Sequence, residues 1–196
     1  MDLKDIQRLR KLTGVGITDA KKALEEAKGD FDKALEAVRV KGLAKADKKA
    51  EREARSGLID SYVHSNRIGV LVEVNCETDF VARTEEFKKF VHDLAMHIAA
   101  SNPRYLSADD IPKEDLDKER ELIEKELANE GKDKDMISKI TEGKLKKWHQ
   151  EVCLLSQPYI KDPDKDVQTL LKETIAKLGE NIVIKRFCRL ELGEAV

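Results

Sequence analysis

The stretch Asn75-Cys76-Glu77-Thr78-Asp79-Phe80-Val81-Ala82 stands where one hydrophobic period gives way to another, and that change limits the folds open to the chain. Before it, Val70-Leu71-Val72-Glu73-Val74 reads as an apolar strand; after it, Phe87, Phe90, Val91, Leu94, Ala95 and Ile98 recur at helical spacing. Thr78 and Asp79 are candidate caps, because a short side-chain oxygen accepts from the free N–H groups of a first helical turn. The spacing predicts one helix from Asp79 to Ala100. On that helix Phe80 and Phe87, one heptad apart, share nearly one face. By spacing alone Asp79 reads as a cap and Phe80 as a core residue.

A strand entering this corner needs neighbours. Gly57 to Val63 and Ile68 to Asn75 alternate around Ser65-Asn66-Arg67 and read as a β-hairpin. After the break at Asn102-Pro103, a helix follows Ile111-Pro112 through Leu116, Leu122, Ile123 and Leu127 and ends at Gly131. The next carries Met136, Ile137, Ile140, Leu145, Trp148, Val152 and Leu155 and stops before Pro158. The last carries Val167, Leu170, Leu171, Ile175 and Leu178 up to Gly179, and Asn181 to Leu192 reads as a strand completing one sheet with the hairpin. The expectation is an α+β core, a small antiparallel sheet packed with helices.

Ahead of the core lie three short helical patterns. Leu3, Ile6 and Leu9 are followed by Thr13-Gly14-Val15-Gly16; Ala20, Ala23, Leu24 and Ala27 end at Gly29, with Thr18 or Asp19 as the expected cap; and Asp30 caps a third stripe of Phe31, Ala34, Leu35 and Val38. So small a bundle suits docking better than catalysis, since little interior remains to shape a reaction site. From Lys41 to Ser56 the chain is rich in Ala, Lys, Glu and Arg, the composition of a semi-rigid helical linker. The expected domains are residues 1–41, a three-helix unit; 42–56, a charged helical linker; and 57–196, an α+β core that also dimerises.

The formal net charge of −2 gives no basic field to draw in nucleic acid or an anionic membrane. No run of apolar residues is long enough to span a bilayer, and the opening Met1-Asp2-Leu3-Lys4-Asp5 lacks the features of a signal peptide, so a cytoplasmic protein is expected. Cys76, Cys153 and Cys188 are widely spaced and suggest neither a disulfide framework nor a zinc site. Cys188 alternates with Ile182, Ile184, Leu190 and Leu192, which predicts a buried small residue; the alternative is a thiol near its twin in a second copy. There is no phosphate loop, no Gly-x-Gly-x-x-Gly and no His-Glu-x-x-His. His64, His92, His97 and His149 have no sequence partners that suggest a nucleophile or metal site, so no enzyme chemistry, cofactor or metal is expected.

The words NCETDFVA (75–82), LRKLTGVGITDAKKALEEAKGD (9–30), GKLKKWHQEVCLLSQPYIKD (143–162) and GENIVIKRFCRLELG (179–193) resemble the elongation factor Ts family of bacterial and organellar type, in a short form with a single core repeat. The family consists of guanine-nucleotide exchange factors for elongation factor Tu. The resemblance implies an amino-terminal domain of ubiquitin-associated type and partner contacts at Ile17, Thr18, Lys21 and His64. Where Ile17-Thr18 stand, many members have two methionines. It also implies that Thr78, Asp79, Phe80 and Val81 form the element that disturbs the partner's Mg2+ and phosphate site, which gives Asp79 and Phe80 a second reading beside the structural one. Longer relatives hold two copies of the core, so the single copy here implies a homodimer and a two-plus-two complex through the sheet or its edge, with no direct nucleotide binding. A different class, a protein- or RNA-binding adaptor without exchange activity, would use the same bundle and basic linker.

Overall fold

In the computed structural model residues 2–194 are described. The elements in order are helices α1 (Leu3–Thr13), α2 (Ile17–Glu26) and α3 (Phe31–Asp47), strands β1 (Ser56–His64) and β2 (Ile68–Cys76), then α4 (Asp79–Ala82) and α5 (Glu85–Ser101). They continue with α6 (Lys113–Asn129), α7 (Lys134–Val152), β3 (Pro158–Tyr159), β4 (Asp162–Asp166), α8 (Val167–Leu178) and β5 (Ile182–Glu191). The fold is α+β, as the patterning implies. Two compact units divide it: one runs to Met96 and resumes at Gln168, the other is His97–Val167.

In the first unit, α1 starts at Asp2, whose carboxylate accepts from the Lys4 N–H at 3.0 Å, and ends at Gly14, which sits at φ +71°. Ile6, Leu9, Ala20, Ala23, Leu24, Ala34 and Val38 form the core of the three helices. The expected cap of α2 is not found. Gly16 holds that position without a side-chain hydrogen bond, and Thr18 and Asp19 fall inside the first turn because the helix begins earlier than they would allow, at Ile17. Helix α3 is capped by Asp30 and runs on to Asp47, so the first residues of the charged stretch extend the third helix. Gly42 faces α8, where an added Cβ would come within 3.1 Å of the Ala176 Cβ; the absence of a side chain permits that close approach.

The three-stranded sheet has the order β1-β2-β5, antiparallel throughout. Ser65 and Asn66 turn the hairpin with φ of +49° and +56°, the hand that matches the twist of antiparallel strands. Val70, Val72, Val74 and Cys76 on β2 are buried, as are Ile182 and Ile184 on β5. The pairing then slips: Glu73 faces Arg186 while Val74 faces Ile184, leaving Lys185 without a partner. This β-bulge exchanges the two faces of β5, because one extra residue reverses every side chain beyond it. Cys188 is therefore exposed, against the expectation of a buried residue, and Leu190 and Leu192 are exposed with it.

The expected single helix after the corner is two helices. Thr84 interrupts it: its hydroxyl donates to the Val81 carbonyl at 2.8 Å and accepts from the Phe87 N–H at 3.2 Å, so one side chain closes α4 and caps α5.

In the second unit, α6 and α7 pack through Ile123, Leu127 and Leu145, flanked by Leu116, Ile137, Ile140 and Trp148. The small β3–β4 hairpin has no counterpart in the sequence reading, since Asp162-Pro163-Asp164-Lys165-Asp166 carries no apolar alternation. His97 is fully buried. Its Nδ1 accepts from the Ile160 N–H at 3.2 Å, so the ring proton lies on Nε2 and is donated to Gln157 Oε1 at 3.0 Å.

Candidate functional site

The corner after β2 is built as a rigid pedestal under an exposed tip. Thr78 is the N-cap of α4, accepting from the Val81 N–H at 3.4 Å. Its own N–H and hydroxyl donate to the two carboxylate oxygens of Glu180, at 3.0 and 2.6 Å. The Cys76 thiol donates to the Thr78 carbonyl at 3.1 Å. Burial, reinforced by the negative charge of Glu180, pushes that thiol's pKa up and keeps it a donor. Next to it, Glu77 accepts from the Asn181 N–H at 2.6 Å and lies 3.6 Å from Arg52.

On this base stand Asp79 and Phe80. Phe80 is 79% exposed. Its ring points away from the interior because α4 lasts a single turn, too short to bring residue 80 onto the face that buries Phe87. Asp79 pairs with Arg83 at 2.8 Å across one turn, with both side chains largely in solvent. Such a pair is worth less than about 1 kcal/mol, so it can open to admit a better partner. Val81 is only partly exposed and Ala82 is buried, which leaves Asp79 and Phe80 as the two exposed side chains of the turn.

The remaining predicted contacts lie elsewhere. Ile17 and Lys21 line an open groove of about 760 Å³ with Leu3, Gln7, Arg10 and Gly14, between α1 and α2. Thr18 does not line it. Lys21 sits 3.8 Å from Glu25, a loose exposed pair that leaves its charge available. His64 ends β1 at the hairpin turn, whereas the tip follows the other end of β2; nine residues of strand separate them, roughly 30 Å. The structure thus gives three separate surfaces, with only Thr78 to Val81 contiguous.

Around His64 is a polar cluster that the sequence did not reveal. The Tyr62 hydroxyl lies 3.1 Å from His64 Nδ1, the Tyr62 ring meets the His92 ring edge-on at 5.9 Å, and His92 Nδ1 lies 2.9 Å from Asp60 Oδ2. The alternation of β1 places residues 60, 62 and 64 on one face, but nothing local places His92 against them. Glu180 and Asn181 were missed for the same reason, being more than a hundred residues from the groups they hold. Among the described residues no cluster of His, Cys, Asp and Glu could hold a metal ion, and no helix is long and apolar enough to cross a membrane.

Opposite the helix-covered face of the sheet is an open one. Ile59, Val63, Leu71 and Leu190 are each more than half exposed, and the pairings Ile59–Glu73–Arg186, Ser61–Leu71–Cys188 and Val63–Gly69–Leu190 set them in adjacent rows. Glu73 and Arg186, paired at 2.7 Å, border this patch.

The sequence profile of one family, described as elongation factor TS, matches residues 3–194. Proteins named elongation factor Ts from Thermoanaerobacter pseudethanolicus, Caldanaerobacter subterraneus subsp. tengcongensis and Moorella thermoacetica are 57%, 56% and 54% identical to the chain. These alignments cover 97%, 97% and 98% of it, and 94%, 96% and 95% of the respective relatives.

Proposed function

The chain belongs to the elongation factor Ts family, and from that premise we propose that it is a guanine-nucleotide exchange factor that releases GDP from elongation factor Tu by binding alone. Membership places it in translation elongation; the cytoplasm is the compartment we assign. The observation that carries the exchange reading is Phe80, an aromatic left in solvent on a turn fixed from below by Thr78 and Glu180. A large ring held out rigidly loses little conformational freedom when a partner covers it, which is how hot-spot residues supply most of a binding energy.

A GTPase holds GDP through backbone N–H groups around the phosphates and a Mg2+ ion that offsets their charge. Shifting the elements around that ion lowers nucleotide affinity. In this mechanism Phe80 inserts between partner helices beside the nucleotide pocket. Asp79, released from Arg83, competes for hydrogen bonds there. Linkage requires that GDP weaken the factor's binding as much as the factor weakens that of GDP. Four decades of weakening need roughly 5.5 kcal/mol of differential contact, within reach of one buried aromatic and a few desolvated polar groups. GTP rebinding then releases the factor.

The groove bearing Ile17 and Lys21 is the docking surface we assign for the partner's GTPase domain, and His64 marks a further contact at the hairpin turn. We assign the open sheet face to a second copy of the chain, giving a homodimer and a two-plus-two complex. A two-fold contact of this kind pairs the same apolar rows from both copies. The test is release of a fluorescent GDP from elongation factor Tu with and without the chain. Acceleration by orders of magnitude is expected; an unchanged rate at saturating factor overturns the reading.

A further inference from the structure

The loop Gly179-Glu180-Asn181, between α8 and β5, makes no part of the exposed tip, yet its groups converge on the tip's base. Gly179 sits at φ +81°, a conformation that side chains resist, and it turns the chain out of α8 so that the next two residues face Glu77 and Thr78. Glu180 spends both carboxylate oxygens on Thr78. Asn181 donates its backbone N–H to Glu77 at 2.6 Å and its side-chain amide to the carbonyls of Arg52 at 2.6 Å and Ala50 at 3.4 Å. Lys49 donates to the Gly179 carbonyl at 2.6 Å, closing the connection from the other side. Three residues therefore hold both the turn that bears Phe80 and the turn by which the chain leaves α3.

We propose that Glu180 is a positioning residue for exchange: by clamping the amide and hydroxyl of Thr78 it fixes the Asp79-Phe80 turn in the orientation that enters the partner, while Asn181 and Lys49 tie the same loop to the segment leading from the docking bundle. This inference rests on the exchange reading. A turn four residues long cannot hold its own direction, since it has a single turn of helical hydrogen bonds. Its orientation depends on how its two ends are held: Thr84 closes the far end, and at the near end the N-cap Thr78 is gripped by Glu180 through two hydrogen bonds to a charged group, the stronger kind. Without that grip the turn stays attached to the sheet but swings, and each encounter must first restore its direction. The groove and the hairpin end are untouched by the change, so docking persists.

The experiment compares wild type, Glu180→Ala, Glu180→Gln and Thr78→Val at increasing concentrations of the intact chain, reading the maximal rate of GDP release from elongation factor Tu and the half-saturating concentration. Glu180→Ala is expected to lower the maximal rate about tenfold or more, with the half-saturating concentration changing less than about threefold. Glu180→Gln, which retains one oxygen for the Thr78 hydroxyl, falls between the two. Combining Thr78→Val with Glu180→Ala costs less than the sum of the two, because the hydroxyl–carboxylate bond is lost in both; Thr78→Val alone leaves the backbone N–H bond to Glu180 and removes the cap on the Val81 N–H. Amide hydrogen exchange of residues 79–82 in the free chain speeds up in Glu180→Ala while that of β2 does not. A maximal rate equal to wild type, or a loss confined to the melting temperature with the rate per folded molecule unchanged, overturns the assignment. Should Glu180→Ala fail to fold, Thr78→Val and Glu180→Gln carry the same comparison. If wild type itself accelerates nothing, the exchange reading fails, and the amide measurement still decides whether Glu180 holds the turn.

Discussion

Phe80 and Phe87 lie seven residues apart, and one is 79% exposed while the other is wholly buried. The Thr84 break between α4 and α5 separates them, turning what would be one apolar stripe into a core residue and a projecting ring. Phe80→Ala therefore removes no interior packing and should leave stability within about 0.5 kcal/mol of wild type. Loss of a central aromatic contact should slow GDP release from elongation factor Tu roughly 30-fold, equivalent to about 2 kcal/mol. Equal release rates for Phe80→Ala and wild type, at matched melting temperatures, would remove Phe80 from the mechanism.

Lys21 should act differently, because it lines the groove between α1 and α2 that we assign to docking and leaves the tip alone. Lys21→Ala is expected to raise the half-saturating concentration several-fold at low ionic strength, with the maximal rate kept. The difference from wild type should shrink toward about 0.5 M salt, where exposed charges are screened over a few ångströms. A defect of the same size at every salt concentration would mean that Lys21 contributes packing only.

The exposed rows on the sheet predict a quaternary structure. Leu71→Lys and Leu190→Lys place charges in the middle of the open face without touching the buried one, so each chain should fold and sediment as a monomer while wild type sediments as a dimer. A wild-type monomer mass at micromolar concentration excludes the face as a self-contact. If both variants remain dimeric, the two copies meet elsewhere.

The secondary structure was legible wherever local pattern sufficed. The hairpin of β1 and β2, the stripe of α5 and the amphipathic pair α6 and α7 follow from periods of 2 and 3.6, which neighbouring residues dictate. What was not legible depends on residues remote in sequence. Cys188 changed faces because Lys185 is bulged out opposite β2, and a bulge leaves no mark in the alternation of apolar residues. Thr84 looked like one polar residue within a helix, since a hydroxyl that caps and one that only points to solvent are the same letter. Gly16 displaced Thr18 and Asp19 as the cap of α2, two and three residues ahead of them, because a backbone start at Ile17 leaves no mark in the apolar stripe of that helix. The tip itself was visible as an acid and an aromatic after a strand, but its clamp, Glu180, was not.

Gly57 tests the hairpin's foundation. It lies at φ +144° opposite Asn75, and an added Cβ would sit 2.2 Å from the Val74 carbonyl oxygen, a backbone atom that cannot move aside cheaply. Gly57→Ala should cost about 3 kcal/mol and lower the melting midpoint by roughly 6–12 °C. A midpoint within a degree of wild type would mean that the edge of β1 relaxes freely.

His97 gives the fold an acid sensitivity whose sign is determined. Burial lowers its pKa, opposed only by the hydrogen bond to Gln157, and its Nδ1 is already occupied by the Ile160 N–H. The folded chain therefore resists a proton that the unfolded chain takes up near the ordinary histidine value of about 6.5. Above that pH both states are neutral there and stability is flat with respect to this group. Below it the unfolded state binds the proton first, so stability falls with pH until the folded pKa is reached, by no more than about 1.4 kcal/mol per pH unit. Urea unfolding of the wild type at about pH 7.5 and about pH 5.5 should show the loss in whichever transition reports the His97–Val167 unit. His97→Gln keeps a donor and an acceptor at the site but cannot titrate, so its stability should change less over the same interval. If the variant loses as much as wild type, the acid sensitivity belongs to other groups, and protonation of the buried ring is not what the fold resists.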